Sequence, residues 1–231
     1  MPEEKINLIP HEATEMKHIL AINASPRKTW NTASLVNSAA KGAREAGAEV
    51  EVFDLYSLGK YSGCISCFGC KTEKHYGHCV CRDDLTAVLE KIRAADGLIL
   101  GAPNYLGETT AAFRALYERL IFQYITYKTE FFSYNDRRIP VLFIMASNAP
   151  DEAYEPGGYY RHLAEQYQGT LSRFIGPTES LFAGDTKQVS DYSKYDWTMF
   201  DPEAKAERHN SVFPEKLEQA RAAGARMVNG R

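Results

Sequence analysis

Five cysteines, Cys64, Cys67, Cys70, Cys79 and Cys81, are all that this 231-residue chain contains, and they fall in one short window. The first three recur at every third position, which aims several sulfurs at one point. Disulfide frameworks of small secreted proteins instead spread their cysteines to staple distant loops. The odd count and the lack of a cysteine elsewhere favour metal or redox chemistry in a reducing compartment. Electron handling is the first expectation for function.

Two further segments carry a different chemistry. Ser25-Pro26-Arg27-Lys28-Thr29-Trp30-Asn31-Thr32 follows a short apolar run and leads directly into an Ala-rich stretch. The hydroxyls of Ser25 and Thr32, the Asn31 amide and the free N–H groups of a helix start can all donate to an anion. The helix dipole and Arg27 favour a phosphate dianion there. A capped polar turn uses the same residue types. Neither G-x-G-x-x-G nor a Walker lysine pattern is present, which counts against dinucleotide folds and nucleotide triphosphatases. Downstream, Pro103-Asn104-Tyr105-Leu106-Gly107 combines a rigid proline, an aromatic and a glycine that allows close backbone approach, which suits a flat heteroaromatic ring. It also has the composition of a plain turn. Ser147 and Asn148 form a third polar loop that says little by itself.

The elements that must position these residues alternate regularly. Apolar runs at His18–Asn23, Glu49–Phe53, Gly97–Gly101 and Ile139–Met145, and one within Ile175–Phe182, read as five strands. Helical patterns lie between them: Ala33–Ala46, then Leu85, Val88, Leu89 and Ile92 behind a cap at Asp83 or Asp84, then Phe113, Leu116, Tyr117, Leu120 and Ile121. A last helix carries Leu217, Ala220, Ala223 and Met227, with Pro214 expected in its first turn. Strands interleaved with helices predict an α/β doubly wound parallel sheet covered on both faces. Ligands then sit beyond the carboxyl ends of the strands, where the three loops belong.

Composition sets the outer limits. A chain that is 44% hydrophobic and 25% charged can bury one substantial core, so residues 1–231 are expected to form a single domain, with 1–16 as an N-terminal extension. A net charge of -3 without any run of Lys and Arg gives no footprint for nucleic acid. No apolar stretch is long enough to span a bilayer, and the acidic start lacks the pattern of a secretory signal, so a cytoplasmic location is expected.

Taken together, SPRKTWNT, CISCFGC with a later GHC and Asp83-Asp84, and PNYLGETT resemble the flavodoxin-like NADPH-dependent FMN reductases and their iron–sulfur flavoprotein branch, over about residues 17 to 182. The resemblance implies a flavodoxin-like sheet of five parallel strands in the order 2-1-3-4-5. It implies FMN as cofactor, with Ser25, Arg27, Asn31 and Thr32 at the phosphate. Pro103, Asn104, Tyr105, Leu106 and Gly107 would lie along the ring, completed by Ser147 and Asn148. Two departures stand out. Trp30 occupies a position where the family often has glycine, and eight residues separate Cys70 from Cys79, more than in iron–sulfur relatives. A longer loop costs little additional closure entropy.

For the cysteines three readings stay open: a [4Fe–4S] cluster on Cys64, Cys67, Cys70 and Cys79, free or redox-active thiols, and zinc. Structural zinc sites usually combine two separated ligand pairs, whereas three thiolates in one tight run resemble ferredoxin-type loops. Cys81 is then the spare, and His75 and His78 read as solvated loop residues. The aromatic run Phe122, Tyr124, Tyr127, Phe131, Phe132 and Tyr134 is either core or a subunit or substrate surface. The polar segment Ala183 to Phe213, with Tyr192, Tyr195, Trp197 and Phe200, is long for an uncommitted loop and is expected to wrap a neighbouring subunit of a homodimer or homotetramer.

The resulting expectation is an FMN-dependent oxidoreductase that takes electrons from NAD(P)H, its co-substrate, and passes them to a small-molecule or protein acceptor. The cofactor carries the chemistry, so no catalytic side chain is named. The alternatives are a non-enzymatic electron carrier like flavodoxin and a zinc-binding regulatory module without flavin.

Overall fold

A computed structural model describes residues 16–230, so the expected N-terminal extension lies, but for Met16, outside the described residues. Five strands, β1 (His18–Asn23), β2 (Glu49–Asp54), β3 (Gly97–Pro103), β4 (Val141–Ala146) and β5 (Thr178–Ala183), form one sheet. Every pairing is parallel and the order is β2-β1-β3-β4-β5, the flavodoxin-like arrangement that the family resemblance implies. β1, β3 and β4 are central and buried along nearly their whole length, which is why HILAIN, GLILGAP and VLFIMA read as almost continuous apolar runs. β2 is an edge and exposes Glu49 and Glu51.

Helices α1 (Asn31–Glu45) and α5 (Pro202–Asn229) cover one face of the sheet, while α2 (Leu85–Ala94), α3 (Ala111–Tyr124) and α4 (Arg161–Phe174) cover the other. The α1–α5 crossing depends on two glycines. A Cβ on Gly42 would stand 1.8 Å from the Arg221 carbonyl oxygen, and one on Gly224 would stand 1.9 Å from that of Ala39. Only bare backbone lets these helices approach so closely.

The structure differs from the sequence expectation in two helices. α5 begins at Pro202, not Pro214, with the Asp201 carboxylate accepting from the N–H groups of Glu203 and Ala204 at 2.9 and 3.1 Å. The rule that proline suits a first helical position holds, but it selects the earlier proline, and Pro214 sits inside the helix. α4 is not foreseen at all. At the start of α2, Asp83 Oδ1 accepts from the Leu85 N–H at 3.1 Å, which makes Asp83 the capping carboxylate. Among the described residues no helix is long and apolar enough to cross a membrane.

Candidate functional site

The loops after β1, β3 and β4 meet at one edge of the sheet and are laced together. Thr110 Oγ1 donates to the Ala24 carbonyl at 2.9 Å, and the Ala24 N–H donates to Gly101 at 2.7 Å. The Asn104 N–H donates to the Ala146 carbonyl at 2.8 Å. Strand order reverses between β1 and β3, so the crevice above them is the topological switch point where open α/β sheets bind ligands.

In the loop after β1, Ser25, Asn31 and Thr32 are buried and Arg27 is exposed. Asn23 accepts from the Ser25 N–H at 3.1 Å through Oδ1 and donates through Nδ2 to Asp54 at 2.8 Å, which fixes the loop against the end of β2. The first N–H groups of α1 have no partner within the helix, as at every helix start. Trp30 precedes them with extended backbone and is half-buried. Its indole donates to the Lys187 carbonyl at 3.0 Å, the Asn31 amide donates to the same oxygen at 2.8 Å, and Arg27 donates to the Gln188 carbonyl. The backbone at Lys187 and Gln188 therefore lies against the phosphate-type loop of its own chain. The bulk of Trp30 is accommodated by serving as a strut for that segment. The two side chains assigned most directly to phosphate, Arg27 and Asn31, both touch it.

The loop after β3 is a tight reversal. Tyr105 and Glu108 exchange backbone hydrogen bonds of 2.6 and 3.1 Å, and the turn residues Leu106 and Gly107 both have positive φ, 58° and 80°. Leu106 is fully exposed at its tip and Tyr105 is partly so, leaving an apolar surface beside the crevice. Asn104 holds the turn from inside, accepting from the Gly107 N–H at 2.9 Å and donating to the Tyr154 hydroxyl at 2.7 Å. Burial keeps that phenol's pKa above its ordinary value. After β4, buried Ser147 accepts from the Ala149 N–H at 2.9 Å. The exposed Asn148 accepts from Lys205 at 2.7 Å, a lysine on α5 that is itself buried and paired with Asp185. Tyr154 and Lys205 escape sequence reasoning because each lies outside the loop that it supports.

The cysteines occupy the long connection between β2 and α2. All five line one small cavity of about 20 Å³, together with Phe68, Phe122, Arg119 and Gln123. Cys70 is buried, Cys67 exposed and the others half-buried. Ser66 and Phe68, flanking Cys67, adopt left-handed φ of 54° and 57°, a conformation uncommon outside glycine. Among the described residues no three Cys, His, Asp or Glu side chains converge closely enough for a single metal ion. Burial pushes the Cys64 thiol above the usual range; the Ser66 N–H opposes this, and the neighbouring sulfurs of Cys70, Cys79 and Cys67 add to it. Lys71 is pulled below its ordinary pKa by burial, opposed by Cys70, and donates to the Phe122 and Gln123 carbonyls. His75 and His78 are exposed, as expected.

Arg119 and Gln123, one turn apart on α3, form the inner wall of that cavity. Arg119 pairs with Asp83 at 2.5 Å and donates to the Cys81 carbonyl at 2.9 Å. Burial works against its charge, but Asp83 and the Cys79 sulfur more than offset this and hold the guanidinium protonated. Gln123 Oε1 accepts from the Cys79 N–H at 3.1 Å. Sequence reasoning missed both: α3 also carries Arg114 and Glu118, and nothing in the spacing singles out Arg119 and Gln123. The aromatic run divides: Tyr124 is core, whereas Tyr127, Phe131 and Phe132 are exposed.

This sheet order, with polar loops gathered at its switch point, defines a flavodoxin-like protein. Residues 17–149 match the model of the NADPH-dependent FMN reductase family, and the chain belongs to that family. Among curated proteins it is similar to an iron-sulfur flavoprotein of Methanocaldococcus jannaschii, 38% identical over 101 residues (44% of this chain, 50% of that one), and to one of Methanosarcina thermophila, 35% identical over 103 residues (45% and 52%). The chain thus spans about half the length of these relatives. Among solved structures it resembles an NAD(P)H:quinone oxidoreductase from Methanothermobacter marburgensis, with a TM-score of 0.63, 18% identity and coverage of 92% and 98%. It also resembles an FMN-dependent NADH-azoreductase from Bacillus anthracis in complex with FMN, with a TM-score of 0.62, 16% identity and coverage of 92% and 100%. At such identities these two likenesses speak to the fold.

Proposed function

We propose that the protein is an FMN-dependent oxidoreductase that takes electrons from NAD(P)H and passes them to a small-molecule or protein acceptor. The observation that carries this reading is the lacing of the loops after β1, β3 and β4 around one crevice in a chain of the FMN reductase family. The donor set suits the cofactor. Ser25, Asn31, Thr32 and the first N–H groups of α1 would hold the phosphate with Arg27 near it, and residues 103–107 with Ser147 and Asn148 would border the ring. Bound FMN supplies hydride acceptance and the release of electrons singly or in pairs. The residues of this chain bind it, orient it and exclude water from one side.

Cys64, Cys67, Cys70 and Cys79 are proposed to hold a [4Fe–4S] cluster, which would add a one-electron relay. The cysteines border one cavity whose wall carries buried, unpartnered N–H donors, a donor set that suits an anionic, sulfur-rich group. The iron-sulfur flavoproteins among the relatives support the same reading. Residues 183–231 and the exposed Tyr127, Phe131 and Phe132 are proposed to take part in a homodimer or homotetramer.

The test is steady turnover. Purified FMN-loaded protein should consume NADH or NADPH continuously with a quinone or azo dye as acceptor. A pure electron carrier would accept electrons from a separate reductase but turn over pyridine nucleotide poorly, and that result would overturn the enzymatic reading.

A further inference from the structure

Arg119 and Gln123 are each 1% exposed, yet each keeps one buried donor, Nε of Arg119 and Nε2 of Gln123, with no hydrogen-bond partner among the described residues. Their other polar atoms are satisfied: Arg119 by Asp83 and the Cys81 carbonyl, Gln123 Oε1 by the Cys79 N–H. Leaving a buried N–H unpaired is costly, so two in one wall are unusual unless an acceptor belongs there. Both side chains line the cavity that the five sulfurs surround. Neutral thiols are weak acceptors, whereas sulfur carrying negative charge is a good one. Asp83 binds Arg119 through Nη1 and the Cys81 carbonyl binds it through Nη2, which leaves Nε without a partner.

We infer that Arg119 Nε and Gln123 Nε2 donate hydrogen bonds to sulfur of the group held by Cys64, Cys67, Cys70 and Cys79, and thereby raise its reduction potential. The inference rests on the cluster reading above. Reduction adds negative charge to an already anionic group, so N–H donors and a nearby cation stabilise the reduced form more than the oxidised one. Both residues act through the cluster's surroundings and ligate nothing, which makes them positioning and tuning residues.

The experiment uses the full chain, reconstituted anaerobically with FMN, iron and sulfide, as wild type, Arg119→Lys, Gln123→Met and Gln123→Glu. Arg119→Lys keeps the charge opposite Asp83 but loses Nε. Gln123→Glu keeps the acceptor for the Cys79 N–H, and Gln123→Met removes donor and acceptor together. Iron and sulfide are counted first, and redox titration followed by electron paramagnetic resonance then gives the cluster potential, with the FMN potential as internal reference. The expected result is full iron content and a reduced-to-oxidised ratio at least about tenfold lower at fixed ambient potential, equal to about 59 mV for a one-electron couple, with the FMN potential unmoved. Full iron with unchanged cluster potential overturns the inference and leaves the cluster reading intact. Loss of iron from the Arg119 and Gln123 variants alike also overturns it, because tuning donors are not ligands. Wild-type protein that takes up no iron overturns both.

Discussion

Asn31 Nδ2 lies 2.8 Å from the carbonyl oxygen of Lys187, so a side chain at the start of α1 is tied to backbone far downstream in sequence. Arg27 and Trp30 reach the same two-residue stretch. The segment after β5 therefore shares its contacts with the loop assigned to phosphate. Trp30→Phe should remove one hydrogen bond, cost about 1 kcal/mol and speed amide hydrogen exchange in residues 184–201 before it affects the sheet. Exchange rates unchanged in that segment would show that the indole is not a strut.

Arg27→Ala combined with Asn31→Ala should weaken FMN about 100-fold, or about 2.8 kcal/mol, from loss of charge-assisted contacts. Riboflavin, which lacks the phosphate, should lose little. Calorimetric titration of both ligands checks this, and equal losses would contradict the phosphate assignment.

Gly42→Ala and Gly224→Ala should each destabilise the fold by about 1–3 kcal/mol, because the added methyl meets carbonyl backbone across the α1–α5 contact. Gly169, inside α4, has open space around its missing Cβ, so Gly169→Ala should stabilise by up to about 1 kcal/mol. Urea midpoints compared at constant slope separate the opposite signs.

Cys67→Ala should abolish iron binding in anaerobically prepared protein while FMN stays bound, since the cysteine segment and the flavin loops are different elements. Cys81→Ala should keep about four irons and four sulfides per chain. Aerobic preparations would let released thiols oxidise or pair, so the analysis is anaerobic. A stoichiometric zinc signal with no iron would favour the zinc reading.

The central strands were legible because burial on both faces demands uninterrupted apolar residues, and β1, β3 and β4 supply them. The loops were legible from their own residue types, Ser25, Arg27, Asn31 and Thr32 in one and Pro103 to Gly107 in the other, together with strand positions. α4 was not legible: its buried set, Leu163, Ala164, Tyr167, Leu171 and Phe174, has helical spacing but only two aliphatic residues larger than alanine, with charged and amide side chains between them. Pro214 drew the expected start of α5 away from Pro202, although Asp201-Pro202-Glu203 carries the cap and first-turn signals, whereas Pro214 follows the apolar Val212-Phe213. The buried donors of Arg119 and Gln123 are invisible in a sequence, since helix periodicity marks polar residues as solvent-facing until the cysteine loop is seen to cover them. Contacts of the Lys187 carbonyl with Trp30 and Asn31, and of the Gln188 carbonyl with Arg27, depend on backbone path, for which side-chain identity holds no signal.

Sedimentation of the FMN-bound protein at micromolar concentration should give a dimer or tetramer. Tyr127, Phe131 and Phe132 expose apolar surface that would contribute to a stable interface, which typically removes about 1,600 Å² from water. A monomer that retains FMN and reduces acceptors would contradict the oligomer.

The most direct test of the functional account is anaerobic mixing of FMN-loaded protein with NADH and with NADPH, followed by flavin absorbance. At least one nucleotide should bleach the bound flavin, at a rate no slower than steady turnover with a quinone or azo acceptor. Flavin that stays oxidised with both nucleotides, yet is reduced by dithionite, would contradict the assignment as an NAD(P)H-dependent oxidoreductase.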